Sequence, residues 1–233
     1  MRSERISVLL VALAGALYGA AVFVSVPEVP PAELIGSYMT VGVQPLQVAE
    51  VPPVETIAEV SITEPVTPVP EVPFYSQFTD ITAPEWKKVS CGIASVAMVI
   101  DYYSELTPVP DVLLAKGIAA GSFLSDAGWT HAGLIDLARP YGLAGSSVSL
   151  AGLSVAEAFA SFADVVREGP VLASVHYTFE PTNPIPHLVV VTAVQDGLVY
   201  YNDPAEPTGG GSLTVDKFKR AWKQRYIEIR PIG

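Results

Sequence analysis

The chain is poor in cysteine, histidine and basic residues. One cysteine, Cys91, among 233 residues excludes both an internal disulfide framework and a zinc site built on cysteines. Three histidines, His131, His176 and His187, form no HExxH motif, so the sequence predicts no metal and no other cofactor. Asp and Glu outnumber Lys and Arg by 24 to 13, and the net charge is −11. Nucleic acid is therefore excluded as an expected partner, because phosphate binding needs a surplus of cations.

The N-terminus combines two arginines with a long uncharged run. Arg2 and Arg5 precede residues 6–26, and these 21 residues match the ~20 that span a bilayer. We expect residues 1–26 to be a membrane anchor or a cleaved signal peptide, with the arginines on the cytoplasmic side. The protein would then be membrane-anchored with its domain outside the cytoplasm, or secreted after cleavage. Contact with a membrane would involve this segment only.

Residues 27–71 repeat Val-Pro and Pro-Val pairs with scattered glutamates. Proline fixes φ and removes a backbone donor, so neither a helix nor a central strand is expected in this segment. The composition predicts an extended acidic linker. A globular domain is then predicted over residues 72–233.

Hydrophobic periodicity divides this domain into helices followed by strands. Apolar residues recur with helical spacing from Cys91 to about Glu105, and Ser90 is the predicted N-cap. Further helices are predicted over residues 111–119, 131–141, 154–168 and 215–222. An edge strand is predicted over residues 72–77, a loop over 122–128, and later strands over 171–177, 187–195, 198–202 and 225–230. The pattern predicts an α+β fold, with an N-terminal helical lobe and a C-terminal antiparallel sheet lobe.

Cys91 falls in the first turn of its predicted helix. The helix dipole and the unpaired N–H groups at that position favour a thiolate, which makes Cys91 a candidate nucleophile. The alternative is a small buried apolar residue, as most lone cysteines are. A catalytic thiol also needs a base, a group that orients the base, and donors for an oxyanion.

His187 and Asp203 are candidates for the base and its orienting group. His187 begins a predicted strand, and Asp203 follows the next one. A two-residue turn between the strands would place Asp203 opposite Val190, on the face away from His187. A three-residue loop over residues 195–197, with a bulge, would pair Val189 with Asp203 and make His187 and Asp203 diagonal neighbours, about 7–8 Å apart at Cα. We therefore predict the three-residue loop.

Other candidate residues have weaker interpretations. His131 begins a helix, where the dipole disfavours a protonated imidazole, and it is the alternative base. His176 lies within a strand, and Trp129 follows a loop. Both are predicted to be structural.

Six short motifs follow one another along the domain. They are Val72–Gln77, Cys91–Met98, Tyr141–Leu143, Gly169–Val171, His187–Val191 and Asp203-Pro204. In this order they resemble the peptidase C39-like domain of the papain-like cysteine peptidase superfamily over about residues 72–233. The resemblance implies a papain-like fold with the cysteine on a helix N-terminus.

The resemblance also implies roles for four residues. Cys91 would be the nucleophile, His187 the general base and acid, and Asp203 the residue that orients the imidazole. The side-chain amide of Gln77 would form the oxyanion hole with the Cys91 N–H. Fourteen positions separate Gln77 from Cys91, and the inserted segment 81–86 is expected to flank the cleft.

The function implied is a cysteine peptidase that cleaves a peptide or protein substrate through a thioester acyl-enzyme. The same chemistry serves amidases and acyl transferases that act on cell-wall peptides. A non-catalytic peptide- or wall-binding module on the same fold is a further alternative, and a structural spacer protein is another.

Overall fold

A computed structural model of the chain describes residues 68–125 and 128–233. The predicted anchor over residues 1–26 and the predicted linker up to residue 67 lie outside the described residues. Within the described part of the chain, no helix has the length and apolar character needed to cross a membrane.

Five α-helices and eight strands form among the described residues. The helices are α1 (Cys91–Tyr103), α2 (Pro110–Ala119), α3 (His131–Ala138), α4 (Val155–Arg167) and α5 (Val215–Ala221). The strands are β1 (Phe123–Leu124), β2 (Gly128–Trp129), β3 (Leu143–Ser149), β4 (Val171–His176), β5 (Pro186–Gln195), β6 (Leu198–Asn202), β7 (Gly211–Thr214) and β8 (Trp222–Pro231). Strands β3 to β8 form one antiparallel sheet in the order β3-β8-β4-β5-β6-β7. The predicted α+β fold is confirmed.

Local signals set several helix ends as predicted. The Thr130 hydroxyl caps α3 by accepting the Gly133 N–H at 3.2 Å. Ser154 and Glu157 form a reciprocal capping box at the start of α4. After α3 the chain continues as a 3₁₀ turn and ends at Gly142, whose φ of +75° is accessible to glycine without a steric penalty.

Helix α1 lies at the centre of one core. Its residues from Gly92 to Ile100 are all buried, and they pack with α2, α3 and one face of the sheet. A β-carbon at Gly92 would lie 3.0 Å from the Leu134 side chain, so glycine lets α3 approach α1 beside Cys91. The apolar pattern of the sequence therefore fixes the helix that carries the cysteine against the sheet.

The opposite face of the sheet carries a second core under α4 and α5. Phe162 is fully buried there and its ring lies 4.7 Å from that of Trp222 and 5.6 Å from that of Phe218, centroid to centroid. The sheet is thus covered on both faces, which explains the continuous burial of β5 that its apolar run predicts.

Four segments differ from the sequence-based expectation. Residues 72–77 form no strand of the sheet, because Pro73 has no N–H and the Gln77 N–H donates to the Pro204 carbonyl at 2.8 Å. The predicted loop over 122–128 contains the short β1–β2 hairpin. Strands β3 and β7 were not predicted. β3 shows no clear apolar alternation and forms by pairing with β8, at the other end of the domain.

The β5–β6 connection also differs from the prediction. Gln195 pairs with Leu198, so the turn has two residues, and Asp196 and Gly197 both have positive φ, at 54° and 75°. The predicted three-residue loop is wrong, because a turn of this kind matches the twist of the two strands. The extra residue lies instead in β5, where a bulge at Thr192 shifts the register.

Candidate active site

Cys91 is the first residue of α1, and its side chain is partly exposed. The predicted capping role of the Ser90 hydroxyl is wrong, because this hydroxyl donates to the Trp86 carbonyl at 2.8 Å. Ser90 closes a 3₁₀ turn over Lys87–Val89, and its φ of −95° and ψ of 16° are not the extended values typical of an N-cap. The first-turn N–H groups of α1 are therefore not occupied by the serine side chain.

His187 and Asp203 form a buried hydrogen-bonded pair. His187 Nε2–H donates to Asp203 Oδ1 at 2.6 Å, and the two side chains are 4% and 5% exposed. The bulge at Thr192 pairs Val190 with Asn202, so Asp203 follows one residue beyond this pair. The register near His187 is thus the one that the three-residue loop would have produced, although the extra residue lies elsewhere. Asp203 Oδ1 also accepts the Ala205 N–H at 2.8 Å, which holds the carboxylate in place.

The imidazole of His187 and the thiol of Cys91 perturb each other's pKa. Burial raises the pKa of the Cys91 thiol, but the hydrogen bond and the charge of His187 outweigh it, so the pKa lies below its ordinary value. Burial also disfavours imidazolium, yet the hydrogen bonds from His187 to Asp203 and Cys91 raise the pKa of His187 to about 10. Because Nε2 is bonded to Asp203, Nδ1 is the nitrogen left for the thiol. The two shifts together favour a thiolate–imidazolium pair.

A buried serine connects the elements that carry these two residues. Ser95 lies one turn after Cys91 on α1, and its hydroxyl donates to the Leu188 carbonyl of β5 at 3.4 Å. Leu188 is the neighbour of His187. This contact ties the helix to the strand at the position where thiol and imidazole meet.

Gln77 lines the same cavity as Cys91 and is 3% exposed. Its Nε2 donates one hydrogen to the Lys87 carbonyl at 2.9 Å, and its buried Oε1 has no hydrogen-bond partner among the described residues. A flipped amide would set two oxygens against each other, so the nitrogen belongs on the Lys87 side. An amide nitrogen carries two hydrogens, and the second remains available for another acceptor.

The other histidines and Trp129 occupy different positions. His131 lines the cavity, with Nδ1 2.7 Å from the Ser147 hydroxyl and Nε2 3.5 Å from that of Ser174, and no carboxylate of the described chain bonds its ring. Burial first, and then the charge of Arg225, lower its pKa. His176 Nδ1–H donates to the Asn183 carbonyl at 2.8 Å, and Trp129 Nε1–H donates to that of Val89 at 2.8 Å.

The cavity beside Cys91 has a volume of about 690 Å³. Gln77, Cys91 and His187 all line it, and Asp203 contacts His187 from within the protein. Tyr177, Lys223 and Arg225 are among the lining residues that the sequence patterns did not identify. The Tyr177 ring packs edge-on against the His187 imidazole with centroids 5.1 Å apart. For Lys223 and Arg225, the single signal in the sequence is that two cations lie two positions apart in the final strand.

Comparisons with known proteins agree with this architecture. The profile of the Peptidase_C39 like family matches residues 69–231, well over half of the chain. No curated protein sequence matches the chain significantly.

Several solved structures are similar to the chain. A protein from Bacillus anthracis described as a C39-like peptidase is 21% identical, over 70% of this chain and 96% of that one, with a TM-score of 0.50. A double glycine motif protease from an AMS/PCAT transporter, solved with a leader peptide, is 23% identical over 70% and 93% of the two chains, with a TM-score of 0.47. The peptidase domain of Streptococcus ComA is 17% identical over 62% and 93%, with a TM-score of 0.46.

Sequence identities this low support a similar fold and nothing more. The assignment to a family therefore rests on the match to the family profile. Its match covers all the secondary structure described above, from the segment before α1 to the end of β8. The chain belongs to the Peptidase_C39 like family, whose domains have the papain-like fold.

Proposed function

We propose that the protein is a cysteine peptidase that hydrolyses peptide bonds with Cys91 as nucleophile, His187 as general base and acid, and Asp203 as the residue that orients the imidazole. The observation that supports it most is the buried 2.6 Å bond between His187 and Asp203, beside a thiol on the wall of a peptide-sized cavity. A histidine needed only for packing has no physical requirement for a buried carboxylate partner, since burying this pair costs desolvation energy.

The first half of the reaction is acylation. The Cys91 thiolate attacks the carbonyl carbon of the scissile bond, and the carbonyl oxygen becomes an oxyanion. The Cys91 N–H and the second N–H of the Gln77 amide stabilise this oxyanion. The imidazolium of His187 then protonates the leaving amine, the C–N bond breaks, and a thioester acyl-enzyme remains.

The second half is deacylation. Neutral His187 takes a proton from a water molecule, which attacks the thioester carbonyl. The C–S bond breaks, the acid product leaves, and the enzyme returns to the thiolate–imidazolium pair. Asp203 keeps its hydrogen bond to Nε2 throughout, so Nδ1 stays directed at the sulfur and the substrate.

Alkylation of Cys91 by iodoacetamide across a range of pH tests the ion pair without any knowledge of the substrate. An unperturbed thiol titrates near 8.5. We expect the full chain to react rapidly well below pH 7, and His187→Ala to lose this reactivity. His131→Gln is the matched control, since it removes the other cavity histidine and should leave the profile unchanged. Slow alkylation with an ordinary thiol profile in all three proteins would contradict the proposal.

Hydrolysis is tested with a pooled peptide library and mass spectrometry of the products. The full chain should cleave a subset of peptides, and Cys91→Ser should cleave none. A reactive Cys91 without cleavage of any peptide would favour the amidase, the acyl transferase or the binding module.

We also propose that residues 1–26 anchor or export the protein, that residues 27–71 form a linker, and that the domain of residues 72–233 lies outside the cytoplasm. Arg2 and Arg5 before the uncharged run support this orientation. Because Cys91 is the single cysteine, a membrane-impermeant maleimide should label it in intact cells. Labelling that requires lysis would contradict the orientation, and recovery from the membrane fraction or the medium distinguishes an anchor from a cleaved signal.

A further inference from the structure

Among the residues that the structure describes, the charged side chains that line the cavity are all basic. Lys88, Lys223 and Arg225 line it together with two histidines, and no Asp or Glu of the described chain does so. The whole chain has 24 acidic residues against 13 lysines and arginines. The surplus of basic side chains among the described lining residues is therefore a local feature of this cavity and not a consequence of composition.

Lys223 and Arg225 reach the cavity from a bulge in β8. Ala173 of β4 pairs with Tyr226 and Val175 pairs with Trp222, so the single residue Ser174 faces three residues of β8. The middle one, Gln224, has a φ of +51°, in the left-handed region that costs energy for any residue with a β-carbon. Bulges of this kind redirect side chains, and they are common beside functional sites.

Three hydrogen bonds hold the bulge in this conformation. The Leu150 N–H donates to the Gln224 carbonyl at 2.8 Å, and Gln224 Nε2 donates to the Leu153 carbonyl at 3.3 Å. Trp222 Nε1–H donates to the Arg225 carbonyl at 3.1 Å. The two cations are therefore presented by a strained segment that is held by the residues after β3 and by Trp222 of β8 itself.

These cations lack a partner of opposite charge within the described structure. Neither Lys223 nor Arg225 forms a salt bridge with an Asp or Glu of residues 68–125 and 128–233. Burial, followed by the charge of Arg225, lowers the pKa of Lys223, and the same two causes act on His131. Like charges that repel one another at the edge of a cavity are stabilised when an anion binds between them.

The register of the sheet places this group relative to His187. Leu188, next to His187, pairs with Ser174 of β4, and Ser174 faces the bulge of β8. Two strand spacings therefore separate His187 from the bulge, a distance of about 10 Å. An extended peptide with its reacting carbonyl at Cys91 covers this distance in about three residues.

We propose that the cavity selects peptides that carry a carboxylate about three residues from the scissile bond, with Lys223 and Arg225 as the groups that bind it. The inference rests on the proposed peptidase function for the identity of the reacting bond. The carboxylate is that of an Asp or Glu side chain or that of a peptide C-terminus, because both present the same anion.

Binding of synthetic peptides to the full-length Cys91→Ser protein tests the proposal without any need for catalysis. The probes are fluorescein-labelled peptides whose sequences bind to the protein or are cleaved in the library. In each peptide, Glu, Gln or Lys is placed in turn at every position within four residues of the scissile bond, or of the central bond where the peptide is not cleaved. Each is made with a free and with an amidated C-terminus. We expect the Glu or free-carboxylate peptide to bind about tenfold more tightly than its neutral counterpart, since an exposed ion pair contributes up to about fivefold and two cations act here. The preference should disappear in 1 M salt, where the Debye length is about 3 Å.

Charge variants assign the effect to the bulge. Lys223→Gln with Arg225→Gln should abolish the preference for the acidic peptide, and Lys223→Glu with Arg225→Glu should reverse it in favour of Lys. Lys217→Gln with Arg220→Gln removes the same charge from exposed positions of α5 and should change nothing.

The outcomes separate the two proposals. Equal binding of acidic and neutral peptides, or an acidic preference that survives in the Lys223/Arg225 double variants, would overturn the carboxylate site. An acidic preference that these variants abolish supports it, and a preference confined to the free C-terminus identifies that source of the carboxylate. Selective binding by Cys91→Ser combined with no cleavage by the unmodified protein would leave the carboxylate site standing and refute the peptidase.

Discussion

Replacing Asp203 with asparagine should lower the pKa of His187. The pKa at which Cys91 ionises beside a protonated His187 should not change. Asparagine has the same shape and keeps an oxygen that can accept from His187 Nε2 and from the Ala205 N–H. The substitution therefore removes the negative charge and leaves the hydrogen-bond geometry. Its effect isolates the electrostatic contribution of the carboxylate.

The size of the shift follows from the strength of the bond that is changed. A hydrogen bond that involves a charged group contributes about 1.5–3 kcal/mol. The bond changes from one between two charged groups, at the upper end of this range, to one in which the imidazolium alone is charged, at the lower end, so the change removes about 1–1.5 kcal/mol. One pKa unit corresponds to about 1.36 kcal/mol. The pKa of His187, which the Asp203 hydrogen bond helps to raise to about 10, should fall by about one unit. The lowered pKa of the Cys91 thiol should not change, because the thiol loses its proton while His187 is still protonated.

Two measurements on the full chain follow the two groups separately. The chain has three histidines, so imidazole NMR signals can be assigned with His131→Gln and His176→Gln, and the remaining signal titrated for His187. Iodoacetamide alkylation follows the thiolate. The matched control is Asp196→Asn, which removes the same charge from the exposed turn of the same hairpin.

Two results would refute this reasoning. An unchanged His187 titration in Asp203→Asn would mean that the carboxylate does not stabilise the imidazolium. An equal shift in Asp196→Asn would mean that net charge, and not the 2.6 Å bond, sets the value.

Four further predictions concern the site and the fold. Peptide hydrolysis should have a bell-shaped pH profile, which rises through the lowered pKa of Cys91 and falls as His187 loses its proton near pH 10, whereas limbs at the ordinary values of both groups would contradict the ion pair. Gln77→Ala should reduce kcat by about 10²–10³ without changing the alkylation rate of Cys91, and an equal loss in both would indicate a structural defect instead. Phe162→Ala should lower the free energy of unfolding, measured in urea, by about 3–5 kcal/mol, because it empties the centre of the second core, and a loss below 1 kcal/mol would contradict that packing. Gly197→Ala should cost about 1–2 kcal/mol in the same assay because its φ is +75°, and an unchanged stability would contradict the two-residue turn.

Local sequence signals were sufficient where structure depends on neighbouring residues. The cap at Thr130 and the capping box at Ser154 each involve groups within four positions of one another. The continuous apolar run of β5 likewise predicted its burial on both faces. These elements were found because their determinants lie next to each other in the chain.

Contacts between distant segments were harder to predict. β3 has an exposed, polar sequence with no alternation to mark it, and it becomes a strand because β8, at the end of the domain, supplies its hydrogen bonds. The segment over residues 72–77 has the composition of a strand, yet its hydrogen bonds go to a loop and a side chain. In both cases the partner decides the structure, and the partner is remote in sequence.

The sequence by itself determined the α+β class, the helix that begins at Cys91, and the set of polar residues worth testing as a site. The tertiary structure alone decided how His187 reaches Asp203, through a bulge at Thr192 instead of a longer loop. It also decided that Lys223 and Arg225 line the cavity. The physical reason is the same in both cases. Strand register and bulge position depend on the packing of a whole sheet, and the propensities of single residues do not describe that packing.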